Sequence, residues 1–263
     1  MYKKIIIFFV FIMFIFCGCT KPKKEPVVNT LNDITKRGEV IVGVKTDTYP
    51  FGYQDKNGKY AGYDIDLAKL IGKEIFGEDN KVKFVPVTAA DRMMKLFNED
   101  VDMIIATMSI TSSRLQLLDF SNPYYIAGQS VLVKKGSKIK GLRDLNGKKA
   151  IIVFGTSSES SLRAAVPNVK IIGYKTYNEA VNGLKQGKAD AIVSDDTILI
   201  GLSLKDANLV LLPKRYSREP YAVAFRKGIE SEDLVRTVNN VIDETSRNGT
   251  LQKLQKNYGI KKY

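Results

Sequence analysis

Histidine is absent from the whole chain of 263 residues. Without it, neither a Ser-His-Asp nor a Cys-His catalytic arrangement can form, and the commonest zinc ligand is missing. Cysteine is almost absent too, because the only two, Cys17 and Cys19, both lie close to the N-terminus. The rest of the chain therefore has no disulfide and no thiol chemistry. These absences exclude the usual histidine- and cysteine-dependent enzyme classes.

The N-terminal apolar run, residues 5–16, is too short to cross a bilayer as a helix and has the length of a signal-peptide core. The four residues that end at Cys19 resemble a lipobox, with Gly18 directly before that cysteine. Cys17 fits less well, because a bulky phenylalanine precedes it. We therefore predict a lipoprotein signal peptide over 1–18 and lipidation of Cys19. An ordinary signal peptide with incidental cysteines is the alternative.

The segment after the leader is rich in lysine and proline and poor in large apolar residues. Such a composition is typical of a flexible tether, and we predict that the lipidated cysteine and its tether occupy 19–38. The protein is then expected to be exported and anchored by lipid to the outer face of the cell membrane.

The net charge of +13 raises the question of nucleic-acid binding. The basic residues are scattered among acidic ones along the whole chain, and no basic block carries interleaved aromatic residues. Nucleic acid is therefore not an expected partner. Attraction to anionic wall polymers and lipid head groups accounts for the charge of an exported protein more simply.

Apolar strands alternate with amphipathic helices beyond residue 38, which predicts an α/β fold with largely parallel sheet. The predicted order begins with a strand at 40–44, a helix at 64–75, a strand at 82–87 and a helix at 91–97.

A short repeat divides this part of the chain. The stretch 96–104 recurs in outline at 184–192, each copy being a helix end, a polar turn, an aspartate and an apolar strand. The strand at 148–153 likewise resembles the strand at 40–44. Two such units predict two α/β lobes.

Open α/β sheets bind ligands beyond the carboxyl ends of their strands. In this sequence those ends carry polar and charged residues: Lys45, Arg92, the run Ala106–Arg114, the turn Gly155–Ser160 and the pair Asp195 and Asp196. In the run, Thr111 or Ser112 is a natural helix N-cap, and Arg114 stands in the first helical turn, an arrangement suited to a carboxylate. A free amino acid needs such a cation and an anion about one ligand's width apart.

The run 106–114 and the following Asp-Phe-Ser-Asn-Pro-Tyr-Tyr at 119–125 resemble the family-3 extracellular solute-binding proteins, which serve ABC importers of polar amino acids. The segment 60–68 also resembles a family motif, in which the first aspartate, here Asp64, caps a helix. The resemblance extends over essentially everything after residue 38.

This resemblance implies a type II periplasmic-binding-protein fold, with two α/β lobes, a two-strand hinge and a ligand cleft between them. Lobe 1 is expected over 39–126 plus 222–263, and lobe 2 over 130–218. Crossover strands near 130–134 and 222–225 would act as the hinge.

The resemblance also implies roles in the cleft. Arg114, Ser109 and Thr107 would hold the ligand's α-carboxylate, and Asp195 would hold its ammonium. Asp196 would then cap the following helix, although the two aspartates are interchangeable on sequence grounds. Ser157 would donate from the second lobe, with helix capping as its alternative role. Aromatic residues would sandwich the ligand's side chain, the candidates being Tyr49, Phe51 and Tyr221.

Lys45 and Arg92 bear on the ligand's own side chain. Relatives that bind aspartate and glutamate tend to have basic residues at these places, so we expect an acidic amino acid. The alternative is glutamine, cystine or another polar amino acid. An enzyme of dehydratase or lytic type on the same fold is the remaining alternative, but no spare acid or base is evident. We expect a monomer that delivers its ligand to a membrane permease, with neither cofactor nor metal.

Overall fold

The computed structural model describes residues 30–260. Its helices are α1 Thr30–Arg37, α2 Tyr63–Phe76, α3 Arg92–Phe97, α4 Ser112–Leu115, α5 Ser158–Ala165, α6 Tyr177–Lys185, α7 Asp196–Lys205, α8 Glu232–Arg247 and α9 Thr250–Asn257. Its strands are β1 Val40–Val44, β2 Asp47–Thr48, β3 Gly52–Gln54, β4 Tyr60–Ala61, β5 Val82–Pro86, β6 Met103–Ile104, β7 Leu118–Phe120, β8 Tyr125–Ala127, β9 Gln129–Lys134, β10 Lys149–Val153, β11 Lys170–Tyr174, β12 Ala191–Asp195, β13 Leu209–Leu211, β14 Glu219–Tyr221 and β15 Ala224–Arg226. Single 3₁₀ turns lie at Leu142–Leu145 and Ile229–Ser231.

Lobe 1 is built on a five-stranded sheet of order β5-β1-β6-β15-β7. The strands β5, β1 and β6 run parallel, and β15 is antiparallel to both of its neighbours. The buried faces of α2 and α8 pack on this sheet and form one apolar core with β1. Burial on both faces explains why β1 reads as a continuous apolar run.

Lobe 2 is built on a second five-stranded sheet, of order β11-β10-β12-β9-β13. The strands β11, β10 and β12 are parallel, and β9 is antiparallel to β12 and β13. The predicted repeat is confirmed here. Strand β6 lies beside β1 in lobe 1, and β12 lies beside β10 in lobe 2. Both β6 and β12 follow a helix and a polar turn. Both lobes are therefore α/β units.

The two connections between the lobes are β8 and β14, which pair with each other in an antiparallel two-stranded sheet. The sequence-based placement of the hinge strands was wrong. Residues 130–134 belong to β9 in the lobe 2 sheet, and 224–225 belong to β15 in the lobe 1 sheet. An apolar strand pattern shows burial, but it does not show which sheet the strand joins.

The prediction of a tether up to residue 38 was also wrong in part, because residues 30–37 form α1. Ile34 is fully buried in the lobe 1 core, and Leu31 packs against that core. Leu31 and Ile34 are three residues apart, so they lie on the same face of the helix and turn it toward the core. The predicted signal peptide, Cys19 and residues 20–29 lie outside the described residues. Across residues 30–260, no helix has the length and apolar character needed to span a bilayer.

The lobes touch closely on both sides of the space between them. A Cβ added at Gly155 of lobe 2 would lie 2.2 Å from the carbonyl oxygen of Ala89 in lobe 1. A Cβ added at Gly201, in α7 of lobe 2, would lie 1.9 Å from the carbonyl oxygen of Tyr49 in lobe 1. Only glycine fits at these two contacts, so the lobes are in a closed arrangement.

Candidate functional site

A cavity of about 200 Å³ lies between the lobes, at the carboxyl ends of the parallel strands. Seven of the ten predicted site residues line it: Lys45, Arg92, Thr107, Ser109 and Arg114 from lobe 1, and Ser157 and Asp195 from lobe 2. Thr156, Tyr177 and Ile198 complete the lining.

The lobe 1 wall is formed by the loop that follows β6. Thr107 has a left-handed backbone with φ of 47°, which is unusual for a non-glycine residue. Its backbone N–H donates to Asp64 at 3.0 Å, and its buried hydroxyl has no partner among the described residues. Thr111 caps α4, as predicted, and accepts from the N–H of Arg114 at 3.3 Å. The loop therefore presents an unpaired hydroxyl and a guanidinium to the cavity.

Asp64 does not have the helix-capping role that the motif implies. The N-cap of α2 is Gly62, and no side chain caps that helix. The fully buried Asp64 instead accepts from Thr107 and from the Tyr124 hydroxyl at 2.9 Å. Burial raises the pKa of Asp64 to about 6, although both hydrogen bonds and the nearby Lys45 and Arg92 oppose the rise.

Arg114 and Arg92 both reach across the cavity to lobe 2. Arg114 donates to the carbonyl oxygens of Ser109 at 2.7 Å and Gly155 at 2.9 Å. Arg92 donates to those of Ala106 at 2.7 Å and Gly155 at 3.2 Å. Burial lowers the pKa of both guanidinium groups, that of Arg92 to about 9. Arg114 uses only two of its five donors in these bonds, so it can still bind a carboxylate.

Asp195 forms the anionic side of the cavity. It ends β12, and its carboxylate accepts from the Tyr221 hydroxyl at 2.6 Å and from the Gln129 amide. Burial raises the pKa of Asp195 to about 7, and the negative charge of Glu219 adds to this effect. Its charge is therefore costly until a cation pairs with it.

Asp196 has a different role from either one considered in the sequence. It faces away from the cavity, accepts from the Gly128 N–H at 3.1 Å and forms an ion pair with Arg215 at 2.6 Å. The N-cap position of α7 belongs to Asp195, and no side-chain bond caps that helix. The prediction that Asp196 caps the helix was therefore wrong, and Asp195 alone of the two lines the cavity.

Lys45 lies deep in the cavity and is 2% exposed. Its ammonium lies 5.2 Å from the centre of the Tyr177 ring, a cation–π contact that joins lobe 1 to lobe 2. Burial and the positive charge of Arg92 lower its pKa to about 8, although Asp47, Asp195 and Asp64 act in the opposite direction. The charge of Lys45 is thus partly balanced by acids of the protein itself.

Sequence reasoning missed Tyr177, whose hydroxyl is hydrogen bonded to Ser194 at 2.8 Å. Tyr177 begins α6 shortly after β11, so the strand-end rule could have found it. Glu219 was also missed. It accepts from Ser157 at 3.0 Å, which positions the hydroxyl that the sequence assigned to the second lobe. Nothing in the local sequence of Glu219 distinguishes it, because its place depends on the pairing of the hinge strands.

The three predicted aromatic contacts do not line the cavity. Tyr49 and Phe51 border a second cavity of about 310 Å³ that opens near α7 and Tyr258. Phe51 is fully buried, and its ring centre lies 5.1 to 5.7 Å from those of Tyr63, Tyr125 and Tyr221. Tyr221 contacts the site through its hydroxyl bond to Asp195 and through a backbone bridge to Ser109, not with its ring face. These rings form an aromatic core behind the cleft.

We expect Phe51→Ala to lower the free energy of unfolding by about 3–5 kcal/mol, because it removes a fully buried ring from a packed cluster. Denaturant unfolding of the purified variant measures this loss. Phe97→Ala is the matched control, because Phe97 is 41% exposed and its truncation should change stability little. A Phe51 variant as stable as the wild type would mean that the ring belongs to a ligand site instead.

Comparison with known proteins agrees with this architecture. The family described as "Bacterial extracellular solute-binding proteins, family 3" matches residues 40–261. The ABC transporter glutamine-binding protein GlnH of Bacillus subtilis is 38% identical over 237 residues, covering 89% of this chain and 86% of that protein. The glutamine-binding protein of Geobacillus stearothermophilus is 40% identical over 225 residues, covering 85% of each.

Among solved structures, the cysteine-binding protein of Campylobacter jejuni superposes with a TM-score of 0.83 at 33% identity, covering 88% of this chain and 92% of that one. The two lobes, the paired hinge strands and the cavity between them thus form a type II periplasmic-binding-protein fold. Because the family match spans almost all of the described residues, the chain belongs to family 3 of the bacterial extracellular solute-binding proteins.

Proposed function

We propose that this protein is the extracytoplasmic substrate-binding component of an ABC importer for amino acids and has no enzymatic activity. The observation that carries the proposal is that Arg114 and Asp195 line one cavity between the lobes, each contributed by a different lobe. A zwitterion places its carboxylate and ammonium on one carbon, so it can bridge these two groups. Each buried charge would then have a partner, and the bound ligand would hold the lobes together.

We propose L-glutamine as the ligand, ahead of the glutamate or aspartate that the sequence suggested. When Arg114 pairs with the ligand's α-carboxylate and Asp195 with its ammonium, Lys45 and Arg92 are the remaining cations in the lining. The negative charges of two acids of the protein, Asp47 and Asp64, stabilise the charged form of Lys45. The cleft is thus close to balanced without a second ligand carboxylate.

A polar, uncharged side chain suits such a cleft, and the two curated relatives described above are named for glutamine. Glutamate is the second candidate, because the side-chain carboxylate of glutamate could pair with the deeply buried ammonium of Lys45. Cystine or another polar amino acid is the third.

An enzyme on this fold would need an acid or base free to act on a bond. In the described part of the cleft, Asp195 is engaged by Tyr221 and Gln129, and Glu219 accepts from Ser157 and Ser217. Neither carboxylate is left for catalysis once an ammonium pairs with Asp195. Membership of an extracellular family supports a location outside the cytoplasm. We further propose that Cys19 carries the lipid anchor and that the protein works as a monomer with a membrane permease.

Titration calorimetry of protein freed of bound ligand by unfolding and refolding tests the proposal. We expect one glutamine per chain, weaker binding of glutamate and aspartate, and no binding of arginine, whose side chain Lys45 and Arg92 would repel. Chromatography of the ligand recovered after binding should return unchanged glutamine. Tight binding of arginine would contradict the proposed ligand class, and a chemically altered product would contradict the assignment as a binding protein.

A further inference from the structure

Asp64 lies directly behind the cavity without lining it. It is fully buried at the start of α2, and it reaches the cleft through its 3.0 Å bond to the N–H of Thr107, a lining residue. In the described part of the chain its other hydrogen bond comes from the Tyr124 hydroxyl. Among residues 30–260, no arginine or lysine is close enough to Asp64 to form an ion pair.

A buried carboxylate without an ion-pair partner is costly, and it acts over a longer range than an exposed one. The cations that Asp64 faces are Lys45 and Arg92, and both lie in the cavity wall. These are the two cations that the ligand's backbone does not use in the proposed mode. The negative charge of Asp64 therefore reduces the attraction of this end of the cleft for a second carboxylate.

We propose that Asp64 is a selectivity residue of the cleft, whose buried negative charge favours an uncharged ligand side chain over a carboxylate without touching the ligand. The inference rests on the proposed function. It deepens that function by assigning the choice between amide and acid to a residue behind the binding surface.

Asp64→Asn tests this directly, because the amide is isosteric and its oxygen can still accept from Thr107. We expect the ratio of glutamate to glutamine affinity, measured by calorimetry at pH 7.5, to rise by roughly tenfold. That is about the effect of one charge acting over about 10 Å at an effective dielectric constant near 20. Two controls separate charge from structure.

The first control, Asp66→Asn, removes a charge from the same helix. Asp66 accepts from Tyr258 and pairs with Lys69, away from the cavity. The second, Tyr124→Phe, removes a hydrogen bond to Asp64 but keeps its carboxyl group. Losing this bond raises the pKa of Asp64, so the ratio should lie between those of the wild type and Asp64→Asn. Asp66→Asn should change the ratio by no more than about twofold, because it removes no charge beside the cleft.

The pH dependence of the affinity ratio provides a second test, and it can be measured on the wild-type protein. The charged and titratable groups that face Asp64 are Lys45, Arg92, Tyr63 and Tyr124. As the pH falls from 7 to 5, Asp64, with a pKa of about 6, becomes neutral, while Lys45, with a pKa of about 8, stays charged. The affinity ratio should therefore rise toward glutamate as the pH falls. Protonation of Asp195, with a pKa of about 7, also removes negative charge from the cavity wall. The same pH series in Asp64→Asn is therefore the baseline, and the ratio should change more in the wild type than in that variant.

A ratio that stays constant with pH and is unchanged in Asp64→Asn would overturn the inference while leaving glutamine binding intact. If the wild type bound neither glutamine nor glutamate, the proposed function and this inference would fail together. A ratio that rises equally in Asp64→Asn and Asp66→Asn would assign the effect to the overall charge of the protein rather than to Asp64.

Discussion

Replacing Arg114 by alanine should weaken binding of every amino-acid ligand by roughly thirtyfold to several thousandfold. Truncating one partner of a buried, hydrogen-bonded charge pair costs about 2–5 kcal/mol, and each 1.4 kcal/mol is tenfold in affinity. Arg114 is 9% exposed, only two of its donors are used in the described bonds, and Asp195 lines the same cavity from the other lobe. Calorimetric titration with glutamine and with glutamate measures the loss, which should be similar for the two ligands.

The matched control is Arg163→Ala, which removes an arginine paired with Glu159 on an exposed face of α5. Its effect on affinity should be within experimental error, because surface ion pairs contribute little. Asp196 is unsuitable as a control, since its ion pair with Arg215 is buried. Asp195→Asn should be as damaging as Arg114→Ala. Near-wild-type titration curves for both variants would rule out the zwitterion-bridging mode.

Replacing Gly201 by alanine should weaken ligand binding by about a hundredfold while leaving the ligand-free protein at least as stable. The new Cβ would lie 1.9 Å from the Tyr49 carbonyl oxygen, so the closed contact between α7 and lobe 1 cannot form as it stands. When the binding-competent state becomes rare, the apparent affinity falls in proportion to its population. The same substitution favours the helix by roughly 1 kcal/mol, because glycine is a poor helix former.

This opposite response of stability and affinity distinguishes a closure defect from misfolding. Thermal unfolding without ligand should give a midpoint equal to or above the wild-type value, and small-angle scattering should show no compaction when glutamine is added. Ser203→Ala is the control in the same helix, because within residues 30–260 its hydroxyl bonds only to the Ile200 carbonyl oxygen of the preceding turn. If Gly201→Ala bound glutamine as tightly as the wild type, closure would not depend on this contact.

Much of the site was predictable because the carboxyl ends of parallel strands meet at one edge of a sheet. Lys45 directly follows β1, the Thr107 loop follows β6, and Asp195 ends β12, so strand order alone predicts that they converge. Phe51 and Tyr221 show the limit of such reasoning. An aromatic residue near a predicted cleft suits a ligand contact and a buried core equally well, and only the packing of β8 and β14 against lobe 1 decides between them.

By itself, the sequence determined the α/β class, the two repeated units and the chemical character of the cleft, because these depend on local periodicity and on which residues end each strand. Only the tertiary structure decided that Asp195 faces the cavity while Asp196 pairs with Arg215. It also decided that Asp64 holds Thr107 rather than capping a helix, and that acids stand behind Lys45. These outcomes depend on which segments, distant in sequence, pack together. The balance of buried charge therefore arises only when tertiary packing brings those charged side chains close to one another.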